Sequence, residues 1–439
     1  MKRRVIAVLL LAVLSLFCSG CPQPSEPPSA DGRVHVTYWE KWTGFEGDAM
    51  RDTVEAFNRS QSRICVDLLT VSQIDQKTLM ATAGGIPPDI AGVWSPTVIP
   101  YAQKRAALPL DDFFRDKGIT KDRFVPVFWD MCQYRGHTYA IPTTPASVAL
   151  HWNKRLFREA GLDPNKPPRT IEELDAMADK LTRVENGKIV QMGFLPPEPG
   201  WWNWSWGCFF GGRLWDGKSR LTCDSPENVR AYEWVQKYAR KYGVEALQTF
   251  RSGFGNFSSP QNAFMAEKVA MELQGVWLYN FIDKYMPSLQ WGAAPFPYPA
   301  DRPDLANTTV VEEDVVILPR GARHPREAFE FLAFLATTRG SEILNMGQRK
   351  FTPLIDVTPE FLRKHPNPAI EVFINLAHGK NAVSVPHLSI WNEYQDELNE
   401  AFDEIWLCRE TPEKALSHTR ERVQKRVDWV VKAESRDEG

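Results

Sequence analysis

The sequence predicts an α/β protein of two or more domains, and three observations carry that expectation. Strand-like and helix-like segments alternate along the chain, the pattern that builds a parallel sheet. The 439 residues exceed what one ordinary core needs, at roughly 100–200 residues per domain. With 43% apolar and 24% charged residues, the composition is that of a folded chain, neither disordered nor many times membrane-spanning. The 52 Lys and Arg are matched by 55 Asp and Glu, so the basic excess of a nucleic-acid binder is missing and no such partner is expected.

The chain opens on Lys2, Arg3 and Arg4 followed by an apolar run from Val5 to Phe17. That run is shorter than the roughly 20 residues of a membrane span and suits an export signal. Cys18-Ser19-Gly20-Cys21 resembles the lipobox of bacterial lipoproteins, although Cys18 stands where those usually carry Leu. The resemblance implies a signal peptide over 1–20 and acylation of Cys21; the alternative is an ordinary signal cut nearby. Pro22 to Ser29 cannot fold and reads as an extended polyproline-like spacer, so 21–32 is expected to tether a soluble body to a bacterial membrane, facing the periplasm or the exterior.

Val34 to Trp39 is rich in β-branched and aromatic residues and reads as a strand. Met50, Val54 and Phe57 then recur at helical spacing, and Ile64–Leu69 and Asp89–Trp94 read as further strands. Thr170 with Glu173 forms a capping box for a helix bearing Ile171, Leu174, Ala178 and Leu181 on one face. Ser225-Pro226 and Ser259-Pro260 each place a cap and a first-turn proline before an expected helix. Val269–Leu273 and Val315–Leu318 read as strands, Pro325 and Thr411-Pro412 as helix starts.

Of the seven cysteines, five follow Cys21 in a compartment that permits disulfides. Cys208 and Cys223 flank Gly211-Gly212 and Asp216-Gly217, turn signals that would fold the segment back and allow a bridge. No CxxC pair after the signal and no Cys/His spacing suggests a metal, and no cofactor is expected.

Several motifs now occur in a familiar order. Gly85-Ile86-Pro87-Pro88-Asp89-Ile90, Tyr134–Pro142, Ala149–Phe157, Ala160–Pro164 with Pro168–Leu174, Ala270-Met271 with Gly275-Val276-Trp277, and Ile317–Gly321 with Ala328–Leu332 resemble the successive signatures of family 1 extracellular solute-binding proteins, the maltose-binding-protein relatives that serve ABC importers. The resemblance implies the two-lobe (type II) periplasmic-binding-protein fold with a ligand cleft between lobes. It would place one lobe at 33–143 plus 297–348 and the other at 144–296 plus 349–439, with crossovers near Thr143-Thr144, Pro295-Phe296 and Lys350-Phe351. It also implies a monomer that hands a carbohydrate, an oligosaccharide by preference, to ABC permease subunits.

A sugar offers hydroxyl edges and flat C–H faces, which polar side chains and aromatic rings respectively satisfy. Trp39, Glu40, Lys41 and Trp42 follow the first strand, and Trp94 and Ser95 follow the third, at the strand ends where open α/β sheets bind ligands. Trp201, Trp202 and Trp204 crowd one loop, while Trp277 matches a sugar-stacking position of the family, with Gly275 expected to let the backbone turn toward the cleft. Thr144, Glu313, Asp314, Arg349 and Trp391 complete the candidates, with Glu312-Glu313-Asp314 read as a carboxylate cluster just before its strand, the alternative being a solvated loop. Two other readings stay open: a non-sugar solute such as a glycerophosphodiester or polyamine on the same fold, and a glycoside hydrolase working with two carboxylates. The anchor has a direct test. Cys21→Ser is expected to move the protein from the membrane fraction to the soluble fraction; unchanged fractionation would dismiss the lipobox reading.

Overall fold

The computed structural model describes residues 31–437, with side chains through residue 432. The signal, Cys21 and nearly all of the tether lie outside the described residues. Strands β1 (Val34–Glu40), β2 (Ile64–Thr70) and β3 (Ile90–Trp94) form where β-branched residues predict them, and β1 pairs parallel with both others. Helix Gly44–Ser60 lies between β1 and β2 and buries Met50, Val54 and Phe57 in a core with Val36, Tyr38 and Phe331. A small hairpin, β4 (Gln133–Tyr134) with β5 (His137–Thr138), leads into β6 (Ala140–Asn153), whose fourteen residues are all buried.

The second half adds β7 (Arg183–Glu185), β8 (Lys188–Phe194), β9 (Val269–Gly275) and β10 (Trp291–Ala294); β11 (Thr309–Ile317) then returns beside β3, and β12 (Ala382–Val383) pairs with its start. The order β2-β1-β3-β11-β6-β9-β8-β7, with β10 on β6, is one mixed sheet. It is not the purely parallel sheet that alternation suggested, because two strands carry the chain between its halves. β6 pairs with β11 through its first part and with β9 and β10 through its last. β11 runs antiparallel to both β6 and β3. β11 thus joins β3 to β6 later in the chain than Pro295-Phe296. Phe296 still packs in the second core against Phe194, Trp206 and Phe209, and Arg230 pairs with Asp301.

Other local expectations divide in instructive ways. Thr170 Oγ1 accepts from the Glu173 N–H at 3.2 Å, while Glu173 reaches back to the Arg169 N–H at 2.7 Å, one residue earlier than a capping box requires. Ser225 caps helix Pro226–Tyr242. No helix follows Ser259-Pro260: Asn262 Oδ1 takes the N–H groups of Phe264 and Met265 at 2.9 and 3.0 Å, and this competition with the backbone leaves a chain of turns. Glu312, Glu313 and Asp314 lie inside β11 and not just before it.

The Cys208–Cys223 bridge is also corrected, since both thiols are free and buried. The segment does fold back, with the Thr222 N–H on the Leu214 carbonyl at 3.1 Å. That register sets Cys223 near Arg213, five positions beyond Cys208, and the Cys223 thiol donates to the Leu416 carbonyl at 3.5 Å.

Helix Ile171–Leu181 packs tightly onto β8 at Gly193, where an added Cβ would lie 2.2 Å from the Ala178 carbonyl oxygen. Gly193→Ala must push a helix off a strand. We expect it to lower the denaturant midpoint by an amount equivalent to about 1–3 kcal/mol with an unchanged slope, the usual cost of overpacking. A midpoint equal to that of the parent would show that the helix yields freely.

Candidate functional site

The centre of the molecule is organised by β11. Alternation along this strand sends Glu312 and Asp314 to one face and Glu313 to the other. Asp314 lies opposite Trp94 of β3 and Thr144 of β6, and Thr144 Oγ1 donates to its Oδ2 at 2.8 Å. Two buried ammonium groups converge on it: Lys41 Nζ at 3.2 Å and Lys350 Nζ at 3.8 Å. Glu40 stands 3.4 Å from Lys41, and Glu46 stands 3.3 Å from Lys350. Glu40 also accepts from the Tyr38 hydroxyl, and its carboxylate occupies the space above Gly92. A Cβ at Gly92 would fall 2.0 Å from Glu40 Oε2, so only glycine leaves room for it.

Rings cover the ammonium groups. Lys41 Nζ is 4.8 Å from the Trp42 ring centre and 4.6 Å from that of Trp94, and the two indoles meet edge-on at 5.3 Å. Lys350 Nζ lies 4.9 Å from the Trp42 ring. Burial opposes the charge on Lys41, but Asp314 and Glu40 outweigh it and hold the ammonium above the usual lysine range. Burial raises Glu46 above its ordinary value despite Lys350. It pushes Glu313 well above the carboxylate range, reinforced by Asp314, although Glu313 accepts the Thr143 N–H at 2.8 Å.

The second group is aromatic. Trp277 lies 5.6 Å from Trp201 and 5.8 Å from Trp202 between ring centres. Trp201 meets Phe257 at 4.1 Å, Phe257 meets Phe281 at 5.5 Å, and Phe281 meets Phe45 of helix Gly44–Ser60 at 6.2 Å, so the rings run from one half of the molecule to the other. Trp202 Nε1 donates to Glu312 Oε1 at 3.2 Å, which ties this group to the charged one through a single strand. Burial pushes the Glu312 carboxyl up to about 7, only partly opposed by that bond. Gly275 does not make a turn: it ends β9, and the Trp277 indole lies over it, with a hypothetical Cβ 2.5 Å from the ring. Trp277 Nε1 is buried with no hydrogen-bond partner among the described residues. Beside Trp201 and Phe257 opens a cavity of about 330 Å³ that also touches Glu198, Arg251 and Asn256.

The structure thus brings together Glu40, Lys41, Trp42, Trp94, Thr144 and Asp314, and separately Trp201, Trp202 and Trp277. Ser95 is buried at the start of the short turn after β3. Trp39 is on the strand face opposite Tyr38 and Glu40. Trp204 and Trp391 pack on each other at 4.9 Å in the second core, with Tyr394 against Trp391, which corrects the expectation that they meet ligand. Arg349 is corrected as well: it pairs with Asp283 at 2.6 Å and covers Tyr279, while its neighbour Lys350 enters the centre. Sequence reasoning missed Glu46, Glu312, Lys350, Phe45, Phe257 and Phe281. For Glu312 the alternation of β11 was an available signal; for the others only the tertiary fold shows it.

The sequence profile of the bacterial extracellular solute-binding protein family matches residues 46–342. The chain belongs to this family. Among its solute-binding relatives, a binding protein of Brucella abortus is 26% identical over 399 residues, covering 88% of this chain and 92% of the relative. The arabinooligosaccharide-binding protein of Bacillus subtilis is 23% identical over 365 residues, covering 82% and 80%. The solved structure of CpMnBP1 with mannobiose bound superposes with a TM-score of 0.76 at 28% identity, covering 89% of this chain and 99% of that one. The family is one of exported substrate-binding proteins rather than enzymes, with relatives that serve ABC transporters, and the solved neighbours share the two-lobe fold. Among the described residues no helix is long and apolar enough to cross a membrane.

The Glu312 carboxyl gives a pH signature. A folded pKa near 7 against an ordinary 4.5 means the folded state holds its proton longer than the unfolded state does. Its contribution is therefore fully present below about pH 4.5 and is lost as pH rises through about 7. Glu312→Gln, which stays neutral, should flatten the fall in unfolding free energy between pH 5 and 8 by on the order of 2 kcal/mol. Parallel pH profiles for the two proteins would place the Glu312 pKa at its ordinary value.

Proposed function

We propose that this solute-binding protein is a lipid-anchored, monomeric receptor that captures an oligosaccharide between two lobes meeting at β6 and β11 and delivers it to the permease of an ABC importer. The observation that carries this reading is the junction on β11. There Glu312 accepts from the Trp202 indole, which packs on Trp277, while Asp314 two residues on holds Lys41, so flat apolar faces and hydrogen-bonding groups stand side by side. Those are the two surfaces a sugar presents. The mannobiose-bound neighbour and the arabinooligosaccharide-binding relative support the same ligand class.

An anionic solute is less well served. A phosphate needs cationic donors free to face it, whereas Lys41 and Lys350 are already held by Asp314, Glu40 and Glu46. Binding would proceed by closure, since a ligand that contacts both halves favours the state in which they are together. The Cys21 anchor and tether would keep the receptor near its permease, and the work is binding without turnover.

Calorimetric titration with mannobiose, maltotriose and arabino-oligosaccharides tests the reading. At least one should bind the parent protein, and Trp277→Ala should weaken it at least tenfold, about 1.4 kcal/mol, while the ligand-free melting temperature stays close to that of the parent. Full affinity in the folded variant would remove Trp277 from the site. A collapse in melting temperature would make it a core residue, as its packing against the second core and against the cluster around Phe128, Phe351 and Phe373 allows.

A further inference from the structure

At the opposite end of β1 and β2 from the cleft, parallel pairing sets His35 beside Cys65, thirty residues away in sequence, and puts Asp67 two residues further along the same face. His35 Nδ1 lies 2.7 Å from Asp67 Oδ2, and Cys65 Sγ lies 3.7 Å from Asp67 Oδ1. One donor atom from each of the three falls within 4.8 Å of the others. We propose that His35, Cys65 and Asp67 form a site for a borderline divalent cation, zinc foremost, with the fourth position open to solvent.

The chemistry of the donors supports this. Thiolate, imidazole and carboxylate are the zinc ligand set, and a tetrahedral site with metal–ligand bonds near 2.0–2.3 Å spaces its donors at about 3.4–3.6 Å. The His35–Asp67 contact must open slightly, and the other donor pairs, all within 4.8 Å, must close onto one carboxylate oxygen to reach that spacing. The remaining imidazole nitrogen is already served, since Nε2 lies 3.3 Å from Asp31 Oδ1. A carboxylate on the far nitrogen fixes the tautomer and orients the ring toward a metal on Nδ1. Arg33 is near and places its Nε on Asp31 at 2.8 Å. Asn58 completes the support: it grips the Val66 backbone from the helix side through both amide atoms, at 2.9 and 3.0 Å, and its Nδ2 lies 3.8 Å from the Cys65 sulfur.

The position suggests a role. Asp31 and Arg33 belong to the stretch where the chain enters the sheet, so a bound metal would fix that entry against the edge strand β2 without touching the cleft.

Cobalt(II) titration of the full chain tests the site, with Cys18, Cys21 and Cys408 replaced by serine so that Cys65 is the one cysteine not buried. A near-ultraviolet thiolate-to-cobalt band is expected, removed by stoichiometric zinc. Cys65→Ser should abolish it, and the near-isosteric His35→Gln and Asp67→Asn should each weaken cobalt at least tenfold, with melting temperatures in chelator reporting that all three variants are folded. Absence of the band in the parent, its survival in Cys65→Ser, or unchanged affinity in both His35→Gln and Asp67→Asn would overturn the proposal. Should Cys65→Ser fail to fold, the other two variants decide it alone.

Discussion

Taking an ammonium group out of water costs several kcal/mol unless a carboxylate meets it in good geometry, and in this protein two such groups meet the same one. Asp314 faces Lys41 and Lys350 and also accepts from Thr144. These partners come from the end of β1, from the segment after helix Thr338–Gln348, and from β6, so one carboxylate fixes three remote parts of the chain. The local irregularity of β11 serves the same end. The register on β6 shifts between Asp314 and Val315, which re-aims the strand at the point where the charged group is assembled. Remove that carboxylate and the two cations remain buried beside Trp42 with only Glu40 and Glu46 to balance them.

Space at the site is reserved by residues with no side chain. Gly92 clears room for Glu40, and Gly275 clears room for Trp277. Neither backbone has a positive φ, so the glycines are not there for a turn. What they provide is a flat stretch of strand on which a large or charged group can lie. A sequence reader meeting Gly275 before Trp277 reads a bend, because conformational freedom is the commoner use of glycine. The structure shows the other use, close approach, which depends on a side chain two residues away.

Most of the fold was legible because its causes are local. β-branched runs and helical periodicity placed β1, β2, β3, β9 and the helices after Thr170, Ser225 and Pro325 close to where they form. The order of strand ends likewise pointed to Glu40, Lys41, Trp42 and Trp94. Errors arose where a tertiary or backbone event decided between neighbours. Arg349 adopts a left-handed conformation, φ 56°, that ends its helix and turns its own side chain to Asp283 while Lys350 turns inward. Asn262 diverted an expected helix with its side chain, and Trp204 and Trp391 found each other across nearly two hundred residues. Nothing in the spacing of His35, Cys65 and Asp67 marks them as neighbours; only the parallel register of β1 and β2 does.

The carboxyl-rich centre would be a poor home for a neutral ligand if every acid were ionised. Glu312 and Glu313 avoid that cost by a different route from Asp314. Burial lifts the first to about 7 and the second well above the carboxylate range, so each can hold its proton where Asp314 relies on ammonium partners. A protonated carboxyl donates one hydrogen bond and still accepts others, whereas a carboxylate only accepts. Sugar hydroxyls need both roles, since each gives one hydrogen and takes one or two. On one face of β11 the protein therefore sets an ion-paired acceptor, Asp314, beside Glu312, a carboxyl that can hold its proton and whose orientation Trp202 fixes, while Glu313 faces the other side of the strand. The desolvation that makes this strand costly to bury is the same effect that suits it to an uncharged, many-hydroxyl ligand.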